Sequence, residues 1–151
     1  MGNGAPCQDA ARTHIDEERG LIVLAVADGH GDAQYTHSDE GARVATHVAI
    51  DVLTTLLADT NELTEEAIAH AKRRLVFEWN RRVKHHARMV AARDGLALLW
   101  PDEVTGDWDE KVKVYGTTLV AVAINASHLT WLRIGDGEAI LATSTDQEPS
   151  A

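Results

Sequence analysis

Two long stretches of helical periodicity, set nearly end to end between strand-like runs, constrain this chain more than any other feature. From Ser38 to Asp59 the residues Ala45, Val48, Ala49, Val52, Leu53, Leu56 and Leu57 recur at spacings of three and four, one stripe of an α-helix. Ser38, Asp39 and Glu40 suit its first turn, where a polar cap and acids meet free N–H groups. From Leu63 to Arg93 the same spacing runs through Ile68, Ala71, Leu75, Trp79, Val83 and Val90, and Gly95 is placed to end the helix. Neither stripe can be buried alone, so the pair requires a partner layer.

The partner is legible on both flanks. Residues 23–27 (Val-Leu-Ala-Val-Ala), entered from Gly20 and stopped by Asp28-Gly29-His30-Gly31, predict a strand buried on both faces. Residues 11–15 precede it across the polar stretch 16–20 and predict a hairpin. Residues 94–113 carry Pro101 and scattered acids without a period and predict a surface loop. Residues 114–124 and 128–134 are rich in β-branched and aromatic side chains and predict two strands. Asp136-Gly137 predicts a tight turn into a further strand over 139–143. The order predicts an α+β fold in layers: a β-hairpin, two long antiparallel helices, then a β-meander. The polar residues 144–151 predict a frayed tail.

At 151 residues the chain is sized for one domain. Its 24 acids against 14 Lys and Arg give a net charge of −10, which argues against a protein that coats nucleic acid. Eight of the basic residues fall between positions 70 and 93, where Glu78 is the only acid, and read as the solvated face of the second helix. The alternative is a surface for an acidic partner or nucleic acid. A single cysteine, Cys7, excludes an internal disulfide framework, and no secretory apolar region follows the N-terminus, so a reducing cytoplasm is the expected compartment. The longest unbroken apolar run, residues 21–27, is far short of a membrane span, so no membrane partner is expected.

Chemistry concentrates where the apolar run 23–27 ends. Asp28 and His30 are delivered from a rigid strand, and Gly29 lets the backbone fold tightly enough to expose a carbonyl beside the carboxylate. Paired hard oxygen donors suit Mg²⁺ or Mn²⁺. Taken alone, the segment reads equally well as an ordinary strand-to-loop turn. Asp9 and Asp136 are weaker candidates, and Asp136-Gly137 is what a tight turn wants regardless of function. Cys7 and Arg12 stand one residue closer than a cysteine-phosphatase loop requires, so Cys7 reads as a loop or buried thiol. His85 and His86 are adjacent, project about 100° apart on a helix, and read as surface residues.

The joint order is more specific than any one block. Gln8-Asp9, then Asp28-Gly29-His30-Gly31, then Tyr115-Gly116-Thr117-Thr118, then Gly135-Asp136 resembles the metal-dependent protein serine/threonine phosphatases of type 2C. Pro6-Cys7-Gln8-Asp9-Ala10 and Ser38-Asp39-Glu40-Gly41-Ala42-Arg43 resemble its bacterial branch. The resemblance implies an αββα-type sandwich, truncated here, with residues 1–143 as the N-terminal portion of the domain. It implies hydrolysis of phosphoserine or phosphothreonine in a phosphoprotein substrate, by attack of a water held between two Mg²⁺ or Mn²⁺ ions. Asp28 would bridge both ions, Gly29 would add its carbonyl, Asp9 would stand in the adjoining shell, and Asp136 would serve a third, weaker position. His30 matches the family's general acid.

Asp32 stands where the family usually has glycine, and Gly4 where many members place a phosphate-binding arginine. Gly137-Glu138 replaces the common Ser-Arg after the Gly-Asp block. The family's further metal-binding aspartates have no counterpart in this chain, which therefore reads as an incomplete catalytic domain expected to be inactive by itself. The competing reading is a catalytically inactive phosphatase-like domain that binds a phosphoprotein or acidic partner.

Overall fold

The computed structural model describes residues 7–59, 63–94 and 108–141. Its elements run β1 (Ala10–Asp16), β2 (Leu21–Ala27), α1 (Ser38–Asp59), α2 (Glu65–Arg93), α3 (Asp109–Lys113), β3 (Leu119–Ile124) and β4 (Leu129–Ile134). The four strands form one antiparallel sheet in the order β1-β2-β3-β4. The hairpin turn between β1 and β2 closes on Gly20, whose φ of 58° is a left-handed conformation that glycine adopts without strain.

The helix pair is inserted between the adjacent strands β2 and β3. The predicted inner stripe of α1, from Ala45 to Leu57, is buried throughout and lies against the sheet. α2 packs antiparallel on α1, burying Ala71, Leu75, Val83, Ala87 and Ala91. Its start is fixed by Thr64, whose hydroxyl accepts the Ala67 N–H at 3.1 Å. Trp79 is half-buried and donates its indole N–H to the Gly41 carbonyl at 3.0 Å, tying the middle of α2 to the first turn of α1.

β2 corrects one expectation. Leu21, Val23, Ala25 and Ala27 are buried under α1, whereas Ile22, Leu24 and Val26 are 40–53% exposed. The strand alternates because, among the described residues, helices cover only one face of the sheet. The other face is apolar and carries no helix among the described residues; Ile22, Leu24, Val26, Ile124 and Trp131 are exposed on it, and residues 137–141 run along its β3–β4 side.

Three further differences are local. The expected loop 94–113 ends in α3, and Trp108 before it is buried, with the Lys84 and Arg88 side chains of α2 over its ring at 5.2 and 4.9 Å. The rest of that loop lies outside the described residues. β3 starts at Leu119 and not at Val114, because Tyr115 N–H and Gly116 N–H bond back to Val112 and Lys113 and continue the turn after α3. Asp136-Gly137 makes no hairpin with residues 139–141, which are not a strand. The left-handed residue is Gly135, φ 90°, whereas a tight two-residue turn needs Asp136 itself at positive φ. Residues 142–143 of the expected strand and the tail 144–151 lie outside the described residues.

Candidate active site

The sheet register dictates where the candidate groups meet. Ala10 opens β1 opposite Ala27, which closes β2, so Asp9 and Asp28 leave the sheet side by side. The pairing continues one step past the hairpin's last rung, with the Gly29 N–H donating to the Gln8 carbonyl at 3.2 Å. A Cβ on Gly29 would stand 2.5 Å from that carbonyl oxygen and 2.9 Å from that of Ser38, so only glycine fits between β1 and α1. The two carboxyl groups interact. A hydrogen bond with Asp28 raises the pKa of Asp9, with desolvation and the Asp28 charge acting in the same direction.

The other side of Asp28 is held by the segment that leads into β3. Thr118 N–H and the Thr117 hydroxyl both donate to the Asp28 carbonyl at 2.9 Å, and the Asp28 N–H reaches Thr118 Oγ1 at 3.4 Å. His30 N–H donates to the Gly116 carbonyl at 3.1 Å, and the Ser38 hydroxyl donates to the His30 carbonyl at 3.0 Å. These bonds occupy the carbonyls of Asp28 and His30. Among the described residues they leave that of Gly29 without a donor.

The His30 side chain is exposed, with its ring tilted against Tyr35 at 4.7 Å between centroids. Gly116 lies under it: a Cβ there would stand 2.6 Å from His30 Cδ2. Asp136 follows the end of β4 at the same end of the sheet, and its neighbour Gly135 abuts Thr118. The sheet end thus gathers Asp9, Asp28, Gly29 and His30 around one strand terminus, with Asp136 two strands away. Asp32, at the family's glycine position, turns its carboxylate onto the Gln34 N–H at 3.1 Å within its own loop.

Among the described residues no group of three or more His, Cys, Asp or Glu side chains is placed to hold a metal ion. Of the expected ligands, the Asp9 and Asp28 carboxyls meet, and the adjacent Gly29 carbonyl accepts no hydrogen bond among the described residues. Cys7 is exposed, with its thiol 4.0 Å from the Asp9 carbonyl.

Sequence reading undervalued the supports. Ser38 opens α1 as expected, and its hydroxyl also holds the His30 carbonyl. His86 is half-buried and its Nδ1 lies 2.8 Å from the Tyr115 hydroxyl, so it is not the surface residue its neighbour His85 is. His86 stands three residues after Val83 and four before Val90, on the stripe that α2 turns inward, and that spacing was the available signal. The basic face of α2 is partly committed: Arg81 pairs with Glu78, Arg82 with Asp51, and Arg93 with Asp94.

The structure is thus a helix-backed antiparallel sheet with carboxylates gathered at its strand ends. The family model for protein phosphatase 2C matches residues 1–151, and the chain belongs to that family. No curated protein and no solved structure matches it.

Proposed function

We propose that this chain carries the nucleus of a metal-dependent protein serine/threonine phosphatase site, built on Asp9, Asp28, the Gly29 carbonyl and His30. The single observation that supports it most is the meeting of the Asp9 and Asp28 carboxyls at the mouth of the β1–β2 hairpin. A divalent cation would offset the cost of ionisation that Asp28 imposes on Asp9. The donor set fits Mg²⁺ or Mn²⁺, being all oxygen, and Asp136 supplies a further carboxylate from β4.

Bound there, such cations supply an acidified water and neutralise charge on the phosphoryl oxygens. The chain's own residues do the rest. The Asp28 backbone is held by Thr117 and Thr118 on one side and through the Gly29–Gln8 bond on the other, so its carboxylate projects from a fixed point. The exposed His30 imidazole is placed to protonate the departing serine or threonine oxygen, a contribution of about 10²–10⁴ in rate.

A second reading is favoured by the absence of a three-ligand group among the described residues. On that reading the domain binds a phosphoprotein or an acidic partner without turning it over, and exposed Lys72, Arg73 and Arg74 on α2 would contribute charge. Phosphate release from a phosphoserine peptide in millimolar Mn²⁺ separates the two. The product of the whole reading frame is expected to turn over, to lose activity in Asp28→Asn and to slow by about 10²–10⁴ in His30→Ala. Residues 1–151 alone are expected to bind Mn²⁺ with negligible turnover. Robust turnover by residues 1–151 would overturn the incomplete-site reading, and none by the whole product would favour the binding domain.

A further inference from the structure

We infer that Tyr115 and His86 form a positioning pair that holds the Asp28–His30 backbone in place from behind, an assignment that rests on the phosphatase reading of that segment. The chain from residue 114 to 118 makes no continuous strand, yet it supplies the bonds that fix Asp28 and His30 on the β3 side: the Gly116 carbonyl, the Thr117 hydroxyl, and the Thr118 N–H and hydroxyl. Something must stop this short segment from swinging away.

Tyr115 is the one fully buried side chain within it, at 0% exposure. Its ring is stacked on His37 at 5.2 Å and meets His86 edge-on at 5.6 Å. Its hydroxyl and His86 Nδ1 are 2.8 Å apart, the polar contact that joins the segment to α2. Its carbonyl presses against Gly41 at a point where any side chain on α1 would overlap it. The segment is thus clamped between the first turn of α1 and the last third of α2. The His37 N–H adds a bond to the Val114 carbonyl at 3.0 Å. A buried tyrosine could fill the same volume as phenylalanine, so the hydroxyl matters only for the directional bond it makes.

Neither residue touches the reacting groups, so each acts through the peptide units that Tyr115 anchors. The loss of one such bond is expected to free the segment locally, not to unfold the sheet. The test compares Tyr115→Phe, His86→Leu and His86→Asn in the full chain, by amide hydrogen exchange and by calorimetric titration with Mn²⁺. Tyr115→Phe and His86→Leu are expected to speed exchange at the His30 and Thr118 amides about fivefold, the effect of one hydrogen bond of ordinary net strength, and to weaken Mn²⁺ similarly. Central β2 amides should be unaffected. His86→Asn, whose side-chain amide can accept from or donate to the Tyr115 hydroxyl, should restore wild-type exchange. Unchanged exchange at both amides in folded Tyr115→Phe, or a uniform rise across β2 and β3, would overturn the pairing. If Asp28→Asn leaves Mn²⁺ binding intact while Tyr115→Phe still loosens the two amides, the positioning pair stands and the metal reading fails.

Discussion

Asp9 and Asp28 lie beside each other at the open end of the β1–β2 hairpin, and the Asp28 carboxyl raises the pKa of Asp9. An acid whose folded pKa is raised contributes stability that is fully present below its unfolded value of 3.8 and is lost as pH rises through the folded value. Above that window the two carboxylates repel. Asp28→Asn is therefore expected to melt higher than wild type at pH 7, with the difference closing in acid. Thermal melts at pH 3 and 7 check this, and an Asp28→Asn advantage that persists in acid would contradict it.

Divalent cations should reverse that order. Asp28→Asn is expected to weaken Mn²⁺ binding by at least about tenfold, or about 1.4 kcal/mol, while Asp136→Asn changes it far less. Asp28 emerges beside Asp9 and the Gly29 carbonyl, whereas Asp136 stands two strands away. Calorimetry ranks the two, and equal effects would remove the central role assigned to Asp28.

Two glycines allow a sharper probe of the packing. Gly29→Ala must push against two backbone carbonyls and is expected to cost about 1–3 kcal/mol. Gly116→Ala first meets the His30 and Tyr35 rings, which can swing. It should cost less while displacing the His30 imidazole. Urea melts give the costs, and the His30 ring resonances report the displacement.

Burial, with the charges of Glu40 and Asp39, pushes the Tyr115 phenol up to about 12. The stability it contributes is fully present below pH 10 and is lost as pH rises from 10 through about 12. Tyr115→Phe should flatten this alkaline loss. Chemical denaturation from pH 9 to 12 would show it, and parallel slopes in the two proteins would refute it.

Much of this was legible in the sequence because the signals were long. The stripe of α1 and the hairpin of β1 with β2 extend over enough residues for periodicity to decide them. The motif order brought Asp9, Asp28, Gly29 and His30 forward, and register then seated them together. What escaped was short or relational. α3 has five residues and no stripe. Val114 and Tyr115 are strong strand formers, but the turn after α3 claims their backbone. Asp136-Gly137 carries the composition of a hairpin turn, while the left-handed conformation falls one residue earlier, on Gly135. The contact of His86 with Tyr115 joins residues 29 positions apart, a distance at which no local pattern operates.

β2 and β3 are neighbours in the sheet, yet the whole helix pair separates them, and the bonds that fix Asp28 reach 89 and 90 residues along the chain. Such closures are slow, since the entropy of a long loop must be surrendered before any contact rewards it. The β1–β2 hairpin and the helices are local and can form early, but they leave Asp28 tethered on one side only. The cluster at the sheet end is complete only when β3 docks. During refolding, cation affinity at Asp28 should therefore develop with sheet closure, after the helical signal has returned.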